Sequence, residues 1–159
     1  MNDKQQLLRH FLAALAYRTQ KALRGAPPEF ASFQAGKNVR TPHELISHMD
    51  QLLGYTRTLF IGGRYSAPEL TDFQMTISHF HEMLEAVARH LELGPELRGV
   101  TPEMLLQGPL SDAMTHAGQL AMLRRLHGSP VPSESFIDAE IDADNLGPDQ
   151  PSRVRPHED

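Results

Sequence analysis

Phe73, Ile77, Phe80, Leu84, Val87 and Leu91 follow one another at steps of four, three, four, three and four. This spacing keeps six apolar side chains on one stripe of a helix, because seven residues make close to two helical turns. In a strand the same residues would alternate between opposite faces. A stripe so long and unbroken is the seam of a helical bundle. It commits the chain to a fold in which other helices present matching stripes.

The rest of the chain supplies them. Leu8, Phe11, Leu12, Leu15, Thr19 and Ala22 line one face of a first helix over residues 3–23, which Gly25 and the Pro27-Pro28 pair end. In "TPHEL", Thr41 reads as an N-cap, Pro42 as the first helical residue and Glu44 as the partner that closes a capping box. This second helix is expected to reach about residue 60, before Gly62-Gly63, with Leu45, Leu52, Tyr55 and Leu59 inward and Met49 and Leu53 flanking. The seam helix is expected to begin after "YSAPE" on a capping box of Ser66 and Glu69, and to stop at Gly94-Pro95. A short turn from Thr101 through Leu106 then precedes a fourth helix over 110–127, packed by Leu120, Leu123 and Leu126, with Gly128 as its cap and Pro130 as its stop. The first loop, "GAPPEFASFQAGKNVR", is long for a bundle, so Phe30 and Phe33 are expected to tuck against the core.

No stretch shows the two-residue alternation of a strand. The fold expected is therefore all-α: a single four-helix bundle domain over residues 1–150, with long loops and an irregular C-terminal tail, of which 151–159 is disordered. From Glu134 to Gln150 there are six acids and no Lys or Arg, which reads as a solvated segment. The two long connections leave the up-and-down order of the helices open.

Several function classes fall away. The chain has no cysteine, so thiolate metal sites, disulfides and a protein thiol nucleophile are excluded. Its net charge of −5 comes without a basic stripe, so no nucleic-acid partner is expected. No window is apolar enough to span a membrane, and the start of the chain lacks the layout of a secretory signal, so a cytoplasmic protein is expected. Neither a Gly-rich phosphate loop nor a G-x-S-x-G elbow is present.

Three polar residues interrupt the apolar faces. His48 lies three residues after Leu45 and four before Leu52, and Asp112 and His116 stand at i and i+4 in line with Leu120 and Leu123. Buried imidazoles and carboxylates are costly unless they pair with each other or bind a cation. Two ligands from one helix and one from another suit zinc, nickel or iron and leave positions open for water or substrate. A direct Asp-His hydrogen bond satisfies the same pattern. His81 is a reserve ligand flanking the seam, and Tyr55 is a further pocket candidate. His79 is off the seam; His10, His43, His90 and His127 read as exposed, and Arg124-Arg125 as a surface or dimer-contact pair.

"HAGQLAMLRRLHGSPV" resembles the last-helix signature of the DinB/YfiT-like metalloenzyme superfamily, "RTPHELISHMDQLL" its second helix, and "SESFIDAEI" the stretch that follows in one branch. The resemblance runs from about Phe11 to Gln150. It implies an up-down-down-up bundle, often a homodimer, with a divalent metal, usually zinc or nickel, held by one helix-two histidine and an H-x-x-x-H pair. By position His48 and His116 match two of those ligands, and Asp112 stands where the third histidine is usual, which adds a negative charge and suits a harder ion such as manganese. Characterised members of that superfamily, bacillithiol S-transferases and mycothiol-dependent maleylpyruvate isomerase, use the metal to activate a low-molecular-weight thiol. The resemblance thus implies thiol transfer or isomerisation here. The competing reading is a non-catalytic dimeric bundle, a binding or stress-response module with an Asp-His hydrogen bond in place of the metal.

Overall fold

The computed structural model describes residues 1–152, and every regular element among them is helical. Four long helices, α1 (Asp3–Leu23), α2 (Pro42–Ile61), α3 (Phe73–Leu93) and α5 (Ser111–Leu126), share one hydrophobic core; a one-turn helix, α4 (Pro102–Leu105), precedes the last. Among the described residues no helix is long and apolar enough to cross a membrane. The expected disorder of 151–159 falls, from 153 onward, outside the described residues.

Capping chemistry sets the starts. Asn2 and Gln5 form a reciprocal capping box on α1, and Thr41 and Glu44 form the one expected on α2. The third helix departs from expectation. It starts at Phe73 with Asp72 as N-cap, its Oδ1 accepting from the Met75 amide at 2.8 Å, and Ser66 and Glu69 cap nothing. The reason is tertiary. Gln51 on α2 binds the Tyr65 carbonyl (3.0 Å) and the Ala67 amide (2.7 Å), and the Tyr65 hydroxyl donates to Asp50 at 2.8 Å. These bonds hold the connection extended against α2 and delay the helix. The α5 end follows the expected pattern: Gly128, at φ 85°, lets its own amide bond Arg125 and the Ser129 amide bond Arg124.

The main packing pairs are α2 with α3, α1 with α5, α1 with α3 and α2 with α5. The seam of α3 packs as expected, with Phe80, Leu84, Val87 and Leu91 buried and Phe73 and Ile77 partly so. Phe30 is buried and Phe33 packs beside it, both edge-on to the His127 ring. The face of α2 is rotated from the expected one. Leu45, Ile46, Met49, Leu53 and Phe60 are buried, whereas Leu52 and Leu59 are only partly covered and Tyr55 is exposed. Leu126 is exposed too.

Two further expectations are corrected. Arg124 is not a surface residue: it is buried, donating to the carbonyls of Ala22, Arg24 and Ser129, so one guanidinium ties the ends of α1 and α5 together. The acidic C-terminal stretch is only partly a solvated segment. Glu140, Asp142, Asp144 and Asp149 are exposed, but the Glu134 carboxylate is buried against Tyr17 and Lys21 of α1. Leu146 and Gln150 are fully buried; Gln150 bonds the Ala13 and Asn145 carbonyls, and Gln20 donates to its carbonyl at 2.7 Å. Residues 129–152 thus form a strap across α1.

Candidate metal centre

Two local features deliver the site's side chains. Thr41 and Pro42 fix where α2 begins, so His48 falls in its second turn. Between α4 and α5, Gly108 leaves helical geometry (φ −95°, ψ −110°) beside Pro109, and the Ser111 hydroxyl donates to the Leu106 carbonyl. The kink re-aims the chain, and Asp112 and His116 occupy the first two turns of α5, facing α2.

The structure brings the three predicted residues together. One donor atom from each of His48, Asp112 and His116 lies within 4.8 Å of the other two. His116 Nε2 is 3.3 Å from Asp112 Oδ1, and His48 Nε2 is 3.9 Å from Asp112 Oδ2. The two imidazoles meet edge to face, centroids 4.8 Å apart. Burial is graded: His116 is buried, the His48 side chain 29% exposed and that of Asp112 50% exposed. The site therefore sits at the rim of the core, and Asp112 is not turned to the bundle axis as expected. Two donors on one tetrahedral zinc, each about 2.0–2.2 Å from it, are roughly 3.4 Å apart. The His116–Asp112 distance is close to that length and the His48–Asp112 distance, to the other carboxylate oxygen, is wider, so two imidazoles and a carboxylate fit a divalent ion in kind and number.

The electrostatics favour the same use. Burial, then the nearby Arg40 charge and His116, push the His48 pKa below its ordinary value, against the opposing pull of Asp112. A neutral imidazole keeps a lone pair for a cation. His116 Nδ1 lies 2.8 Å from Gln119 Oε1; a carbonyl oxygen can only accept, so Nδ1 carries a proton, and in the neutral ring Nε2 is the nitrogen that presents a lone pair to Asp112 and His48. Gln119 was read from sequence only as part of the last-helix signature. Its position three residues after His116, on the same face, is the signal that identifies it.

The other candidates lie elsewhere. His81 stands outside this group: it is buried with Nδ1 donating to the Leu146 carbonyl at 2.7 Å, under the strap. Tyr55 is exposed. His79 is partly buried, its Nδ1 2.9 Å from Asp50 Oδ1. Nor is His43 free, since its Nε2 donates to Thr76 Oγ1 at 2.8 Å, while His90 stacks on Phe60. The Asp50–Tyr65–His79 cluster, which sequence reading missed, joins α2, the connection and α3; burial and the Asp50 carboxylate hold the Tyr65 hydroxyl pKa far above its usual range.

The chain matches no protein-family model, no curated protein and no solved structure.

Proposed function

We propose that the chain is a DinB-like bundle whose His48, Asp112 and His116 hold one divalent cation, zinc or nickel by preference and manganese or iron as alternatives, in metal-dependent transfer or isomerisation chemistry with a low-molecular-weight thiol. The observation that carries this reading is the convergence of three donors from two helices within 4.8 Å, with Gln119 setting the tautomer of one of them. When bound, a divalent ion supplies a Lewis acid that lowers the pKa of a thiol brought to it. The chain's own part is to bind and orient. His116, anchored by Gln119, gives a fixed nitrogen donor; His48 gives a second, whose lowered pKa favours the neutral ring; Asp112 gives negative charge at the open edge. No protein thiol competes with the cosubstrate, because the chain has no cysteine.

An up-down-down-up helix order belongs to the same reading. Its support is the register of paired residues. His43 with Thr76, Asp50 with His79 and Phe60 with His90 rise together along α2 and α3, as parallel neighbours would. Arg9 with Glu92 sets the start of α1 beside the end of α3, and Arg124 with Ala22 sets the ends of α5 and α1 together. Homodimerisation and a cytoplasmic location complete the proposal, with neither nucleic acid nor membrane as partner.

The test is elemental analysis of wild type, His48→Ala and Asp112→Ala after dialysis and re-addition of zinc, nickel or manganese. About one metal per chain is expected, lost in His48→Ala and weakened in Asp112→Ala. The second reading, a non-catalytic module, is favoured by one observation: His116 Nε2 and Asp112 Oδ1 already lie 3.3 Å apart, a hydrogen bond when both ring nitrogens carry protons. Failure to take up metal under any loading would select it.

A further inference from the structure

Arg40 stands on the wall of a cleft that leads to His116. The cleft, about 440 Å³, has Arg40 with Asn38 and Val39 on one side and His116, Gln119 and Met122 on the other. Among the described residues Arg40 makes no hydrogen bond and no ion pair, although its charge reaches His48. Glu44 faces an adjoining hollow with Arg40, yet its Oε2 is occupied by the Thr41 amide at 2.8 Å.

The backbone on both sides of Arg40 is anchored. Gln34 Nε2 donates to the Gly36 and Val39 carbonyls at 2.7 and 2.6 Å, Asn38 takes up the turn in the left-handed region at φ 63°, and Thr41 caps α2. The loop fixes where the Arg40 backbone stands, while its exposed side chain, with its charge unpaired among the described residues, is free to reach over the cleft. Its neighbour is the centre proposed above, where a divalent cation is offset by the single carboxylate of Asp112. Two positive groups on one small cleft repel unless an anion lies between them.

We propose that this cleft takes a small molecule carrying a carboxylate arm, the carboxylate paired with Arg40 and the other end directed to the His48–Asp112–His116 centre. Arg40 is then the residue that selects the ligand, and the selection rests on the metal reading above. A guanidinium fork matches a carboxylate with two parallel hydrogen bonds, which a neutral analogue of equal length cannot make. Val39 and Met122, both exposed, give the apolar flank along which a short carbon chain lies.

The test uses the full chain loaded with cobalt(II), whose absorption reports ligand entry, and two probes of equal length, 3-mercaptopropionate and the neutral 3-mercaptopropanol. Metal content is measured first for wild type, Arg40→Ala and Arg40→Lys. All three are expected to hold the same amount of cobalt. Wild type is expected to prefer the carboxylate probe by about tenfold or more, a preference that Arg40→Ala abolishes and Arg40→Lys keeps in part. Equal affinities in wild type, or a preference that survives Arg40→Ala, would overturn the inference and leave the metal centre standing. Failure of wild type to load cobalt would overturn both, and the metal content separates the two outcomes.

Discussion

Gln119 shows how much a single residue's meaning depends on its neighbours. Its side chain makes no contact that composition or periodicity would flag, yet it determines which nitrogen of His116 faces Asp112 and His48. Outer partners of this kind are typically worth 10- to 100-fold in metal affinity. Gln119→Ala is therefore expected to weaken zinc binding by roughly that factor, measured by competition with a chromophoric chelator, while leaving the helix content unchanged. His81 carries a second residue-scale prediction. Burial lowers its pKa from the ordinary 6.5, although its bond to the Leu146 carbonyl and the charge of Asp149 pull the other way. Above 6.5 the ring is neutral in folded and unfolded chains alike. Below it the unfolded chain takes up a proton that the folded one resists, so stability falls as pH drops through 6.5. The lowered pKa values of His48 and His90 act in the same direction. Denaturation at about pH 8 and about pH 5 is expected to show that fall, and His81→Gln to make it shallower. Identical falls in the two proteins would mean that His81 titrates as an unfolded histidine does. His48, Asp112 and His116 were legible as polar breaks in apolar stripes. His81 was legible only as a reserve ligand flanking the seam, because its partner, the Leu146 carbonyl, lies 65 residues away in sequence.

At the scale of elements, capping motifs were reliable where nothing else competed for the residues. Thr41 and Glu44 start α2 as expected, whereas Ser66 and Glu69 lose to the bonds that Gln51 and Asp50 make with the connection. That connection also depends on Gly54. A methyl group there would lie 2.0 Å from the Tyr65 ring, so Gly54→Ala must displace Tyr65 and break its bond to Asp50. Overpacking of this kind costs about 1–3 kcal/mol. The expected result is a loss of that size in denaturant unfolding, and little further loss when Gly54→Ala is made in a Tyr65→Ala background, where the clash is gone. Additive losses in the double variant would refute the assignment. The face of α2 was misjudged for a related reason. Asp50, Gly54 and Thr56 are buried as well as the apolar residues, so hydrophobicity alone points about one residue away from the true centre of the face.

The whole molecule adds the strap. Its acidic composition suggested a solvated tail, but the Glu134 carboxylate enters the core boundary and meets Lys21, with side-chain exposures of 4% and 9%. Removing one partner of a buried pair leaves the other charge uncompensated, at a cost of about 3–5 kcal/mol. Glu134→Ala is accordingly expected to destabilise the fold by about 3 kcal/mol, far more than Glu140→Ala on the exposed side of the same strap. Equal effects of the two substitutions would mean that the strap contributes little.

Helix number, helix character and the choice of His48, Asp112 and His116 as candidates were determined by the sequence alone, because periodicity and spacing are local properties of a chain. Distances, burial and partners were decided by the tertiary structure. Asp112 and His116 share a face on any helix, but only the packing of α5 against α2 brings His48 to within 3.9 Å of Asp112. Arg124 became a buried clamp, and Glu134 a buried partner, through groups 102 and 113 residues distant. Long-range contacts of this kind leave no periodic trace, since each depends on where two helices happen to meet.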